Sequence, residues 1–393
     1  QAEDGIRDRS PSRGLGDVYK RQAAGFGVTS VENPLPVTPD TLFQIGSITK
    51  TFVATAVMRL VEDGKLDLDA PVRTWLPDLR LCDDGVAQRV TLRHLLTHTG
   101  GWVGDYFNDF GSGDDALARM VAEVAKLPQL TPLGEHYSYN NAGFYLAGRV
   151  LEAVTGTPFE QTIKEWVLDP LGMNRSFFSP GEVMTHRFVV GHEAIDKQPK
   201  VARPWPIGRA VHAAGGLVAT VHELFRYARF HMGDGTAANG ARLLSQESIA
   251  AMRTPRVSAS GEQHIGLSWF ITDLDGTQMI SHGGGTNGQV AHLAIVPHRK
   301  FAVVILTNGD QGGTLIYPLL DRALSLYLDL NMPKVIPVDV PQDQLRAFAG
   351  RYDSAPPGSS TSFSATPGAK GRPPSCAGSR MASNAASLPM RSM

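Results

Sequence analysis

Between residues 47 and 64 the chain reads SITKTFVATAVMRLVEDG, and Phe52, Val53, Ala56, Val57, Leu60 and Val61 recur with a helical period. The pattern predicts a helix with one apolar stripe, ended by Gly64 because glycine is common just past a helix C-terminus. Upstream, residues 27 to 45 read as extended pieces broken by ENPLPVTPD. Downstream, VTLRHLLTHTGG (90 to 101) predicts a short helix stopped by Gly100 and Gly101, and residues 114 to 127 and 142 to 168 are further helical patterns. GGLVATVHELFRYARFHMGDG adds another. The period then changes. IGLSWFI (265 to 271), TQMISH (277 to 282), QVAHLAIVP (289 to 297) and FAVVILTN (301 to 308) are short β-rich runs separated by turn residues, which predicts an antiparallel meander. LIYPLLDRALSLYLDL closes the pattern with a helix. The order β, helices, β-meander, helix predicts an α+β fold: an antiparallel sheet flanked by helices and interrupted by a helical lobe.

At 393 residues the chain exceeds what one core usually fills, which suits two lobes. Lys plus Arg (37) nearly cancels Asp plus Glu (38), so the balance gives no argument for a nucleic-acid or acidic-lipid partner. Cys82 and Cys376 are the only cysteines, too few for a disulfide framework or a metal knuckle. No apolar run reaches the roughly 20 residues of a membrane-spanning helix.

Both ends differ in character from the middle. Residues 1–22 are charge-dense, lack an apolar period and resemble a translated sequencing adapter, so they are expected to be non-native or disordered. A native N-terminus with any signal peptide is then missing, and localisation stays open. The catalytic domain is expected over 23–335 and the start of a C-terminal extension over 336–353. Past it, 354–393 is rich in Ser, Pro, Ala and Gly without Asp or Glu, and is expected to be a disordered or frameshifted tail.

Three short stretches carry candidate chemistry. Ser47 and Lys50 lie one helical turn apart, which sets an amine beside a hydroxyl. A serine hydroxyl is a weak nucleophile until a neighbouring base takes its proton, and a lysine serves if its pKa is lowered toward neutral. A serine at a helix start also offers its own N–H to an oxyanion. The plain alternative is a capping serine followed by a surface lysine. The second stretch is YSYNNAGF, with Tyr139 and Asn141 in a loop before a helix; alone it reads as a turn with a packed tyrosine. The third is SHGGGTNG, 281 to 288, which alone reads as a glycine-rich hairpin. Its Gly283, Gly285 and Gly288 satisfy the dinucleotide fingerprint, but strand-like QVAHLAIV follows where that motif needs a helix. HGGG resembles the oxyanion loop of α/β-hydrolases, but the chain has no G-x-S-x-G elbow.

Taken in order, S-x-x-K, Y-x-N and a late basic-x-Gly on a strand form one pattern. The sequence resembles the serine β-lactamase and penicillin-binding-protein superfamily, within it the class C β-lactamase-like branch of esterases and D-peptidases, over about residues 27 to 330. LLTHTGG, DPLGMNRS, AAGGLVAT and GRYD reinforce the likeness. The resemblance implies a serine hydrolase, without a cofactor or metal, that forms an acyl-enzyme on a small-molecule ester, amide or lactam. It makes Ser47 the nucleophile, Lys50 its base partner, and Tyr139 the group that shares the proton and delivers it to the leaving group. Asn141 would bind Lys50 and the substrate's amide. His282 stands where β-lactamases carry lysine, Gly284 completes that motif, and the N–H of Gly285 would pair with that of Ser47. The helical lobe, at about 96–212, would form one wall of the cleft. His94 and His98 are four apart, as zinc ligands can be, but have no third ligand nearby and are expected to pack. Trp102 and Tyr106 are expected at the cleft mouth or in the core. The rivals are a D,D-peptidase, a true β-lactamase, and a non-hydrolytic binding or scaffolding member.

Overall fold

The computed structural model describes residues 22–333 continuously and, beyond them, 340–341, 344, 346, 350–354 and 359–363. Residues 1–21 of the N-terminal segment, and most of the chain past 333, lie outside the described residues. Two compact units divide at 332/333.

The helices of the first unit are α1 (Thr49–Glu62), α2 (Asp84–Arg89), α3 (Leu92–Leu96), α4 (Ala116–Val124), α5 (Asn141–Thr155), α6 (Phe159–Ile163), α7 (Asp169–Leu171), α8 (Pro180–Val183), α9 (His212–Gly215), α10 (Val221–Met232), α11 (Gln246–Met252) and α12 (Gly313–Leu328). The helical pattern read over 142 to 168 is broken where Gly156 takes a left-handed conformation (φ 72°) and Pro158 precedes α6.

Six antiparallel strands form the main sheet: β6 (Val257–Ser260), β7 (Gln263–Ile265), β8 (Phe270–Leu274), β9 (Thr277–Thr286), β10 (Gln289–Val296) and β11 (Phe301–Thr307), each beside its neighbour in sequence. That is the predicted meander with one correction: the run 265–271 is not one strand but spans the end of β7, a turn at 266–269 and the start of β8, and β6 is added ahead of it. Its strands alternate between two faces. Ile280, Leu293 and Ile295 join the main core, while Met279, Ala294 and Val296 pack on Leu320, Leu324 and Leu328 of α12.

Two details depart from the sequence reading. The 96–212 lobe is not all helical. It contains β2 (Ser176–Phe177), which pairs with β5 (Val218–Ala219) beside β1 (Phe43–Gln44), and a hairpin of β3 (His192–Ile195) with β4 (Gln198–Val201). That hairpin turns on Asp196 and Lys197, both at positive φ (52° and 62°), without the glycine that usually signals such a turn. α1 is also buried almost all round instead of along one stripe; Thr51 and Thr55 are accommodated because their hydroxyls bond back to the carbonyls of Ile48 and Thr51.

The second unit, described by itself, holds an antiparallel pair, β12 (Gly350–Ser354) and β13 (Ser359–Phe363). This pair crosses Ser354, where the sequence reading starts the disordered tail. The intervening Ala-Pro-Pro-Gly is rich in turn formers, which composition alone does not separate from a linker.

Candidate active site

Ser47 sits on the 3₁₀ turn Gly46–Ile48 that runs directly into α1. The turn is pinned from several sides. Thr49 Oγ1 donates to the Gly46 carbonyl (2.7 Å) and accepts from the Leu217 N–H, while the Ile45 N–H donates to the Leu217 carbonyl. Gly46 has φ +52°, a left-handed conformation that favours glycine.

Lys50 lies one turn on and is fully buried. Its Nζ is 2.9 Å from Ser47 Oγ and donates to the Ala214 carbonyl at 2.7 Å. The rings of Tyr139 and Phe144 lie 4.9 and 5.5 Å from it. Burial drives the amine well below its ordinary pKa of 10.5, against a smaller upward pull from the Asp105 carboxylate. The depression comes from desolvation; no neighbouring cation contributes to it.

Tyr139 reaches the same point from the loop before α5. Burial raises its phenol, and a hydrogen bond with Ser47 opposes the rise. Asn140 caps α5: its side chain accepts from the Gly143 N–H and donates to the Trp102 carbonyl. His98 holds this loop from behind. It stacks on Tyr139 (4.3 Å between centroids), and its Nδ1 accepts from the Asn140 N–H at 3.0 Å. That bond places the ring proton on Nε2. His98 is fully buried, and burial holds it well below its usual pKa. His94 caps α3 with Thr91. Trp102 is in the core, and Tyr106 hydrogen-bonds Glu123.

Asn141 departs from the expectation. Its amide donates to Asp105 Oδ1 at 2.7 Å, and the hydrogen bonds of Lys50 Nζ go to Ser47 and Ala214. A carboxylate is the stronger acceptor for the amide, and a main-chain carbonyl accepts the lysine's hydrogen bond instead. Asp105 belongs to no quoted motif, and Ala214, though inside AAGGLVAT, acts through its main-chain carbonyl, so sequence reasoning assigned a role to neither.

His282 lies on β9, 1% exposed. Its Nδ1 is 2.6 Å from the Gly283 carbonyl, an acceptor only, so Nδ1 carries the proton and Nε2 presents a lone pair; Nε2 is buried without a hydrogen-bond partner. Burial, with the nearby Lys50, pushes His282 down to about 3, so the ring is neutral at pH 7. The glycines after it let β9 meet the Ser47 turn backbone to backbone. A Cβ on Gly284 would lie 1.9 Å from the Ile45 carbonyl oxygen and 2.9 Å from Ser47 N; one on Gly46 would lie 2.6 Å from Gly285 N. The main-chain nitrogens of Ser47 and Gly285 are thus brought side by side.

Ser47, Tyr139, His282 and Gly283 to Gly285 line one cavity of about 400 Å³. A larger one, about 850 Å³ around Arg209 and His212, contains none of Ser47, Lys50, Tyr139 or His282. Convergence of reactive groups marks the site better than volume does. No group of metal-ligating side chains occurs among the described residues.

A family model described as Beta-lactamase matches residues 7–323, beginning inside the segment expected to be foreign. The chain belongs to the beta-lactamase family. Within it the chain is a serine hydrolase. Penicillin-binding protein 4 of Amycolatopsis lactamdurans is 33% identical over 339 residues, covering 83% of this chain and 88% of that one. Esterase EstB of Burkholderia gladioli is 36% identical over 202 residues, covering 48% of this chain and 50% of that one. Among solved structures, the octameric penicillin-binding protein homologue from Pyrococcus abyssi superposes with a TM-score of 0.68 at 30% identity, over 84% of this chain and 75% of that one.

Proposed function

We propose that the chain hydrolyses small, uncharged esters through an acyl-enzyme on Ser47, using residues of the first compact unit, which ends at Met332. The observation that carries this reading is the fully buried Lys50 amine 2.9 Å from Ser47 Oγ. Burial lowers the amine and raises the Tyr139 phenol, which favours the neutral form of both. A neutral amine is a base and a neutral phenol a proton donor. In this scheme Lys50 takes the Oγ proton as Oγ bonds to the substrate carbonyl carbon. The N–H groups of Ser47 and Gly285 hold the resulting oxyanion. As the intermediate collapses and the bond to the alkoxide breaks, Tyr139 protonates that oxygen and recovers a proton from Lys50. Water then attacks the acyl-enzyme by the reverse relay, returning the proton to Oγ.

His282 supports the choice of substrate. A neutral ring whose free nitrogen is an acceptor offers a carboxylate neither charge nor donor, which disfavours penicillins and cephalosporins. The relation to a protein named esterase agrees with this, and that to one named penicillin-binding protein gives the second reading, an amide-cleaving peptidase. The test is a panel of p-nitrophenyl acetate, nitrocefin and a D-alanyl peptide, with fluorophosphonate labelling of wild type and Ser47→Ala. Ester turnover, slow nitrocefin hydrolysis and loss of labelling in the variant are expected. Equal labelling of both proteins, or rapid nitrocefin hydrolysis with esters untouched, refutes the proposal.

A further inference from the structure

We infer that the cavity at Ser47 continues around the free edge of β9 onto the rear face of the sheet, and that it takes an extended, uncharged acyl group there. This rests on the hydrolase reading above. β8 pairs with β9 only as far as Phe270 opposite Ser281, whereas β9 runs on to Thr286 beside β10. From His282 onward no strand among the described residues pairs with the β8 side of β9; the Ser47 turn packs on β9 at Gly284 and Gly285, and Gly283 is left uncovered by it. Strand alternation turns Gly283 and Gly285 toward the rear, the face that Met279 shares with α12. A Cβ on Gly285 would meet nothing within 4 Å, and one on Gly283 would first meet His292 Nδ1 at 3.6 Å. The absence of side chains at these two positions leaves a passage.

The cavity uses it. The same 400 Å³ space that contains Ser47 and Tyr139 extends to Gln263, Phe270, Ser281, His292, Tyr317 and Met332. Its lining has no Asp, Glu, Lys or Arg, which disfavours a charged occupant. Phe270, Tyr317 and Met332 offer contact to an aliphatic stem. His292 offers a polar one: it is 9% exposed, its ring lies 5.8 Å from that of Tyr317, and its Nε2 is buried without a hydrogen-bond partner. An imidazole on the cavity wall, with Nδ1 nearest the Gly283 passage and Nε2 unpartnered, suits a ligand bearing a hydroxyl or carbonyl beyond its stem. The occupant is thus an acyl chain of several carbons with a polar, uncharged end, its carbonyl at Ser47 and its stem crossing β9 at Gly283.

The experiment compares kcat/KM for p-nitrophenyl acetate, hexanoate and 6-hydroxyhexanoate in wild type, Gly283→Val and His292→Leu. Burial of a methylene is worth about fourfold, so wild type should prefer hexanoate to acetate by tenfold or more. Gly283→Val places two methyls in the passage and should bring that ratio close to one. His292→Leu keeps the volume and should cut the hydroxyhexanoate-to-hexanoate ratio at least threefold. The use of ratios separates the subsite from a general loss of fold or turnover, and the second variant decides the matter if the first does not fold. Acetate turnover with no chain-length preference, or ratios unmoved in the folded variants, overturns this inference and leaves the hydrolase reading intact. No turnover of any ester, with no labelling of Ser47, overturns both.

Discussion

Gly284→Ala tests how the Ser47 turn and β9 are held together. The added methyl would lie 1.9 Å from the Ile45 carbonyl oxygen and 2.9 Å from Ser47 N, where contacts shorter than 3.0 Å essentially never occur. Both neighbours are backbone, and the turn is tied to Leu217 by two hydrogen bonds, so no flexible side chain absorbs the clash. The two segments must part by roughly 1 Å, a displacement that alone costs on the order of 100-fold when it falls on a reacting group. Losing one oxyanion donor costs about 100- to 1000-fold. A fall in kcat of at least about 100-fold is therefore expected, with a similar loss in fluorophosphonate labelling rate, because in the proposed scheme the probe's phosphoryl oxygen uses the same two N–H groups. Gly283→Ala is the comparison: its methyl meets nothing closer than 3.6 Å. Its loss on acetate ester should be at least tenfold smaller. A Gly284→Ala protein within threefold of wild type, with an unchanged Tm, would refute the reasoning.

Lys50 and Tyr139 should act as one proton relay, so Lys50→Ala combined with Tyr139→Phe should cost little more than the worse single change; kcat values that multiply fully would show independent action. Asp105 pulls the Lys50 pKa upward. Asp105→Asn should thus move the acid limb of the kcat/KM profile to lower pH, and a shift to higher pH would contradict the assignment of Lys50 as base. Folding should weaken in mild acid. His282 (about 3) and His292 (about 4) stay neutral when folded but protonate near pH 6.5 when unfolded. Stability present above pH 6.5 is then lost as pH falls toward 4 and 3, by about 2 kcal/mol for each histidine between pH 7 and 5. His98 and His231 add in the same sense, while Glu152 and Glu223, raised by burial, soften the slope. Urea titrations at pH 7 and 5 that give equal stabilities would overturn this.

The sheet meander was legible because its strands are apolar runs punctuated by turn residues, and the Ser47, Tyr139 and His282 stretches because each pairs a special residue type with a fixed spacing. The β3–β4 hairpin was not, since Asp196 and Lys197 adopt positive φ without a glycine to announce it. α1 looked amphipathic because its buried threonines count as polar; only their bonds back to the helix make them core residues. Asn141 was assigned to Lys50 from motif order, but its choice of Asp105 depends on a loop whose path no local pattern encodes.

The Ala214 carbonyl that holds Lys50 has an evolutionary corollary. It is main chain, as are the paired nitrogens of Ser47 and Gly285. No substitution of a side chain deletes any of these three atoms. Random mutagenesis will therefore find few single-step routes that tune the lysine's holder or the paired nitrogens directly. Change must come through residues that bend the backbone path, such as Gly215 and Gly216 just after it and the length of the 204–208 segment that leads into the 209–215 helical stretch. In a library selected for new substrates, beneficial insertions and deletions near Ala214 should outnumber replacements of Ala214 itself.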